Sequence, residues 1–440
     1  MNRNIFLKGI QVLLIILLAV PLIGQNADIQ FFRPYNKDGL TMFETTKEYT
    51  PYAGPRVRIG ASFTQQFQAL ESENKPFFDS EGIPMTKLME TKPGFNLATA
   101  NLNLDAQLDD GIRLNVITYL SSRHHAEAWV KGGYIQFDKL PFLKSDFINR
   151  MMEKVTIKVG HMEINYGDGH FRRTDNGNAL YNPFVGNYIL DAFNTEIGAE
   201  LYYQDQGFLA MAGITGGEIN GNVGALSETA TDDNAHRSPS YIGKLAYNVL
   251  GNNSQFRVSS SLYYTASSAA NHLFDGDRSG SRYYSVMTEP GNSPGARGWF
   301  ATGRYDADYD DEVTAYQGNL FYKIGGLELF GLVETTKGRD HKEAEADKRN
   351  TTQLAAEGIY RIGKNENFYV GARYNTLSAE APSGADVGIN RVQLGAGWYL
   401  TKNILLKGEY VNQKYLDFPV ESIFSEGKFN GFMFEAVVGF

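Results

Sequence analysis

The chain has 440 residues, no cysteine and a formal charge of −9, so neither a lipid-modified cysteine nor a disulfide framework can anchor or staple it. Glycine (46), tyrosine (26) and phenylalanine (28) are abundant while only 21% of residues are charged, a composition suited to many β-strands joined by turns. After residue 25 no apolar run approaches the roughly 20 residues that a membrane-spanning helix needs. Any crossing of a membrane must use strands, whose apolarity is hidden because only alternate residues face lipid.

At the start, Asn2, Arg3 and Lys8 precede an apolar run from Ile10 to Ile23. A basic stretch followed by an apolar core too short to span a bilayer describes a secretory signal peptide over residues 1–25, with cleavage expected near Gly24 and Gln25. Residues 26–55, with Phe31-Phe32-Arg33-Pro34-Tyr35, are expected to form a periplasmic N-terminal extension tucked against or into the body that follows.

From residue 56 to 440 the pattern is all-β. Sixteen stretches have the length of tilted membrane strands, about 9–11 residues: 56–67, 96–108, 112–121, 128–138, 154–163, 195–204, 207–215, 240–249, 255–266, 313–324, 327–335, 352–362, 367–376, 390–400, 403–413 and 429–440. Alternation is clean in the second, where Ala98, Ala100, Leu102, Leu104, Ala106 and Leu108 oppose Asn101, Asn103, Asp105 and Gln107. The last stretch places Phe432, Phe434, Ala436, Val438 and Phe440 on one face and Met433, Glu435, Val437 and Gly439 on the other. Short turn-forming clusters such as Asp109-Asp110-Gly111, Asp205-Gln206-Gly207, Gly325-Gly326 and Thr401-Lys402-Asn403 alternate with long connections at 68–95, 165–194, 216–239, 267–312, 336–351, 377–389 and 414–428. Lys139–Glu153 breaks the rule and is expected to hold a short helix. An even strand count, with short turns on one rim and long loops on the other, predicts a closed antiparallel transmembrane β-barrel with both ends periplasmic.

Over essentially all of its mature length the chain resembles the sixteen-stranded porins, and more loosely the phosphate-selective porin-like proteins. The signal peptide, strand count, loop alternation and terminal Phe440 carry the resemblance. It implies an outer-membrane location in a Gram-negative cell, contact with outer-membrane lipids and lipopolysaccharide, recognition by the barrel-assembly machinery through Phe440, assembly as a homotrimer, and passive diffusion of small polar or anionic solutes. It also implies that the third long loop, 165–194, folds inward as a pore constriction. That loop holds the densest glycine-rich cluster of charge in the chain, with Asp168, His170, Arg172, Arg173 and Asp175. Arg172 and Arg173 are the expected basic wall and Asp168 and Asp175 its acidic counterparts; the alternative is that the arginines tie the loop to acidic residues of the barrel.

By strand phase, Arg56, Arg58, Arg113, Lys158, Arg373 and Arg391 should line the lumen, joined by Lys244, Arg257, Arg361 and Lys407. Acidic residues of the same phase, such as Asp105, Glu328, Glu357, Glu409 and Glu435, are fewer, so a mild anion preference is expected. The acidic run from Asp306 to Glu312 lacks the glycine and distal glutamate of a calcium loop and reads as a solvated loop. His161, Glu163 and His170 do not reproduce a helical zinc motif, and His124-His125 has no ligand set around it. No cofactor, metal or nucleic-acid partner is expected. Two rival classes remain. An enzymatic barrel would need a nucleophile with its base, and no glycine-framed serine elbow is present; the expectation is no enzyme. An adhesion or complex-forming barrel would use Tyr283, Tyr284, Trp299 and Phe300 in loop 267–312 as an exposed contact surface. A large plug domain cannot be built from the roughly thirty residues before the first strand.

Overall fold

The computed structural model describes residues 29–440 apart from 48–49, 125, 220, 222, 224–227, 229–236, 276–278 and 292–296. The expected signal peptide lies outside the described residues, as does His125. Among them, sixteen long strands run in chain order: β1 (Arg56–Glu73), β2 (Thr99–Asp109), β3 (Ile112–Leu120), β4 (Ala128–Phe137), β5 (Val155–Glu163), β6 (Thr195–Asp205), β7 (Phe208–Thr215), β8 (Ser240–Leu250), β9 (Ser254–Thr265), β10 (Glu312–Ile324), β11 (Leu327–Arg339), β12 (Arg349–Ile362), β13 (Phe368–Glu380), β14 (Asp386–Thr401), β15 (Ile404–Leu416) and β16 (Lys428–Gly439). Each pairs antiparallel with its sequence neighbour, and β16 pairs with β1, opposing Phe434 to Phe67 and Gly439 to Ser62. The sheet therefore has no free edge and closes into a barrel. A two-residue strand, Gly94–Phe95, adds to β1 beside Phe67 and Gln68.

Period-2 alternation decides what faces out. In β2, Leu102, Leu104 and Leu108 are exposed while Asn101, Asn103, Asp105 and Gln107 are buried inward. In β16, Phe432 and Phe434 point out while Met433, Glu435 and Val437 point in. Leaving an apolar side chain of this size in water costs about 1.5–3 kcal/mol, and outward residues of this kind recur around the barrel; lipid removes the cost. Near the rim that carries the short turns, Tyr203, Phe208, Tyr247, Phe256, Tyr360, Phe368, Trp398 and Phe440 are exposed, an aromatic girdle at the headgroup level.

The connection 138–154 contains the expected helix, α1 (Asp146–Met152), whose N-cap Ser145 accepts a hydrogen bond from the Ile148 amide. Several loops are shorter than the turn residues suggested, because the strands continue past the bilayer. β13 and β14 extend to Glu380 and back from Asp386, so the loop expected at 377–389 is only 381–385. Likewise 336–351 shrinks to 340–348 and 414–428 to 417–427. Ladder bonds continue wherever a partner strand exists, and Ser, Ala and Glu do not forbid them.

Candidate functional site: the occupied lumen

Among the described residues, three segments fold into the barrel. The third loop, 164–194, leaves β5 and crosses to the opposite wall. Its tip at Asp175–Asn178 forms a tight turn in which each end residue donates its amide to the other's carbonyl. Asn176 has φ +51° and its amide donates to the Ala100 and Leu120 carbonyls and to Asn101 Oδ1. Gly177 lies against β1 and β2 so closely that a Cβ would sit 2.5 Å from the Ser62 carbonyl oxygen, leaving room for glycine alone. Beyond the tip, Lys407 donates to the carbonyls of Ala179, Asn182 and Phe184, and Glu409 accepts from the amides of Val185 and Gly186.

The charged residues of this loop are placed as follows. Arg172 meets Glu328 at 2.7 Å and Glu357 at 3.2 Å, on β11 and β12. Arg173 forms a two-pronged pair with Asp191 of the same loop at 2.7 and 2.6 Å. Asp168 is held by Lys244 at 2.8 Å and Arg257 at 2.7 Å. Asp175 pairs with Lys131, and His170 contacts Glu163 at 2.5 Å and Asn165 at 3.0 Å. Arg172, Arg173 and Asp168 are buried: their charges hold the loop to the wall or to itself. Asp175 and His170 instead border a cavity.

Residues 29–47 of the N-terminal extension enter from the turn side. Lys37 donates to the Asn365 and Glu366 carbonyls, and its amide donates to Lys402. The Arg33 guanidinium stacks 4.0 Å over the Tyr181 ring and donates to the Phe171 carbonyl. Phe43 packs edge-on against Phe171 and Phe321. Glu44 reaches Lys244 at 3.1 Å and Arg257 at 2.8 Å, so Glu44, Asp168, Lys244 and Arg257 form one square joining extension, third loop and wall. Burial pushes the Glu44 and Asp168 carboxyls up, but the two cations outweigh it and hold both below the usual carboxylate range.

The described parts of the fifth loop, 266–275, 279–291 and 297–311, pack against the inner wall on the side of the long loops. Tyr283, Tyr284 and Phe300 are buried. Tyr283 donates to Glu409 at 2.7 Å, Arg282 meets Glu435 at 3.2 Å, and Gln68 exchanges two hydrogen bonds with the Tyr284 backbone. These rings therefore form no exposed contact surface: Tyr283 packs in an apolar cluster with Tyr263, Val286 and Met287, Tyr284 and Phe300 are buried, and Trp299 is half-buried. The acidic run is also not uniformly solvated, because Asp311 is buried against Arg339 at 2.6 Å.

Of the lumen-facing cations, Arg373 and Arg391 point inward but are sealed under the third loop. Arg373 lies between Phe184 and Tyr188 and pairs with Glu357, and Arg391 donates to the Asn187 and Gly303 carbonyls. Arg58 lies 4.7 Å over the Phe32 ring, and Arg56 is half-buried on the same inward phase. Arg113 and Lys158 border the cavity. Sequence phase finds these wall cations and misses what covers them. Glu44, Asp175 and Asp191, which supply inward acid from the extension and the loop, carry no periodic signal.

The cavity measures about 210 Å³ and runs along β2 to β6, bounded on its inner side by the extension and the third loop.

No protein-family model matches the sequence, and no curated protein matches it. In structure the chain is similar to OmpT, an outer membrane protein of Vibrio cholerae, in its trimer form, at 13% identity and a TM-score of 0.51, covering 88% of this chain and 99% of that one. It is also similar to the anion-selective porin from Comamonas acidovorans, at 12% identity and a TM-score of 0.50, covering 88% and 100%. The fold is that of these outer-membrane barrels, and its apolar outer belt suits the strands to a lipid bilayer.

Proposed function

We propose that the chain is a passive outer-membrane channel for small polar or anionic solutes, with loop 165–194 as its constriction. The carrying observation is the third loop itself, which spans the lumen from β5 to β15 and leaves the cavity beside it along β2 to β6. In this reading Asp168, Arg172 and Arg173 fix the constriction, while His170 and Asp175 face the path together with Arg113 and Lys158. Basic groups on the path give a mild anion preference, and the similar Comamonas porin is anion-selective. The reading assigns the chain no catalysis, and proposes a homotrimer by likeness to the trimer form of the Vibrio protein. Reversal potentials in a planar bilayer test the selectivity; a cation preference would contradict it. Mass measurement in detergent tests the trimer, which a monomer mass would contradict.

A second reading is a barrel closed at rest. Among the described residues, three buried apolar clusters occupy its interior, one of them joining Phe43, Tyr188, Phe321, Phe330 and Leu332. This barrel would conduct only after residues 29–47 are displaced, and silence of the intact protein with current after their removal would select it.

A further inference from the structure

Two cations in the part of the cavity nearest the turns are met differently from most of the wall; Arg391, which also touches no carboxylate, is instead closed off by Gln413 and the Asn187 and Gly303 carbonyls. Arg172, Lys244, Arg257, Arg361, Arg373 and Lys407 each touch a carboxylate at 2.7–2.9 Å. Arg113 comes no nearer than 3.8 Å to Asp105, and Lys158 no nearer than 4.0 Å to Glu200. The reason lies in the carboxylates. Asp105 is engaged by the Tyr35 hydroxyl at 2.9 Å and the Asn115 amide at 2.8 Å. Glu200 accepts from the Tyr202 hydroxyl and from the Asn165 amide at 2.8 Å. Neutral donors thus hold both acids, and the two cations meet neutral acceptors, Arg113 donating to Gln136 at 2.7 Å and Lys158 to the Tyr202 hydroxyl at 3.2 Å, so their charge is not cancelled by a close carboxylate.

The Tyr134 ring lies 5.9 Å from the Arg113 guanidinium and 5.6 Å from the Lys158 ammonium. Phe32 and Tyr35 of the extension line the same cavity. The acids that border it are already met: Glu44 by Lys244 and Arg257, Glu163 by His170 and Lys131, Asp175 by Lys131. A volume of about 210 Å³ is below the roughly 300–1,000 Å³ of sites for drug-sized ligands, so the occupant is small.

We propose that this cavity binds a small aromatic carboxylate, with its anionic group between Arg113 and Lys158 and its ring among Phe32, Tyr35 and Tyr134. The site rests on the channel reading only for its role as a waypoint; binding itself needs no current. Charge-assisted hydrogen bonds supply the affinity, and the rings add flat apolar surface.

The test is calorimetric titration of the detergent-folded protein with benzoate, benzamide and inorganic phosphate, run beside planar-bilayer recording. Benzoate should bind about tenfold or more tightly than either of the others, as expected for one charge-assisted bond gained and ring contacts kept. Arg113→Gln with Lys158→Gln should weaken benzoate by a similar factor, and the Arg113→Lys, Lys158→Arg pair should recover part of it. Equal binding of benzamide, equal binding of phosphate, no benzoate binding, or undiminished binding in the glutamine variant would each overturn the site. Should the glutamine variant fail to fold, the three-ligand comparison on the unaltered chain decides alone. Benzoate binding without current would support the site and remove the channel reading; current without benzoate binding would do the reverse.

Discussion

At the scale of single residues, buried charges do the holding. Arg172 sits between two buried glutamates, and removing one member of such a set costs about 3–5 kcal/mol because the partners stay buried and unpaired. Arg172→Ala is therefore expected to release the third loop, raising single-channel conductance and its noise together. Altered selectivity at unchanged conductance would instead mean that Arg172 acts directly on passing solute. Acid should act on the same loop in two stages. Burial lowers the His170 pKa, against an opposing pull from Glu163. A depressed group stabilises the docked state fully above its free pKa, about 6.5 for histidine, and that contribution is lost as pH falls through the docked value. Glu44 and Asp168 are likewise depressed, so their contribution is complete above about pH 4 and is lost below it. Conductance should rise slightly below pH ~6.5 and strongly below ~4, and His170→Asn should remove the first rise alone. A rise on going alkaline would contradict the assignment.

At the scale of elements, the N-terminal extension and the third loop share one anchor, the square of Glu44, Asp168, Lys244 and Arg257. Removing residues 29–47 should leave the barrel folded, since its ladders close without them. It should nevertheless enlarge conductance, because Phe32, Arg33, Phe43 and Glu44 leave the cavity wall. Unchanged conductance with unchanged heat-modifiable mobility on a gel would show that the extension does not narrow the path. Glu409→Ala should loosen the third and fifth loops together, since Glu409 accepts from Val185, Gly186 and Tyr283. A gain in protease cleavage confined to one loop would argue against that coupling.

At the scale of the whole molecule, the barrel was legible because lipid enforces alternation: Leu102 and Leu104 must face out, so Asn103 and Asp105 must face in. The same reasoning gave the inward phase of Arg113, Lys158, Arg373 and Arg391. Period cannot say what lies against an inward side chain. Nothing in the spacing of Arg373 reveals Phe184 and Tyr188 on either side of it, and nothing around Tyr283 distinguishes a ring buried in the mouth from one offered to a partner. The apparent basic surplus of the wall had the same origin, since Asp168 and Glu44 fold back from a loop and from the extension to meet it. Strand ends at Glu380 and Asp386 were hidden because residues tolerated in loops are tolerated in a ladder too.

Single-channel recording of the purified protein in a planar bilayer, with and without residues 29–47, tests the central claim most directly. The account predicts discrete small openings with mild anion preference in the intact chain and larger ones after removal of the segment. Absence of openings in both forms would contradict it.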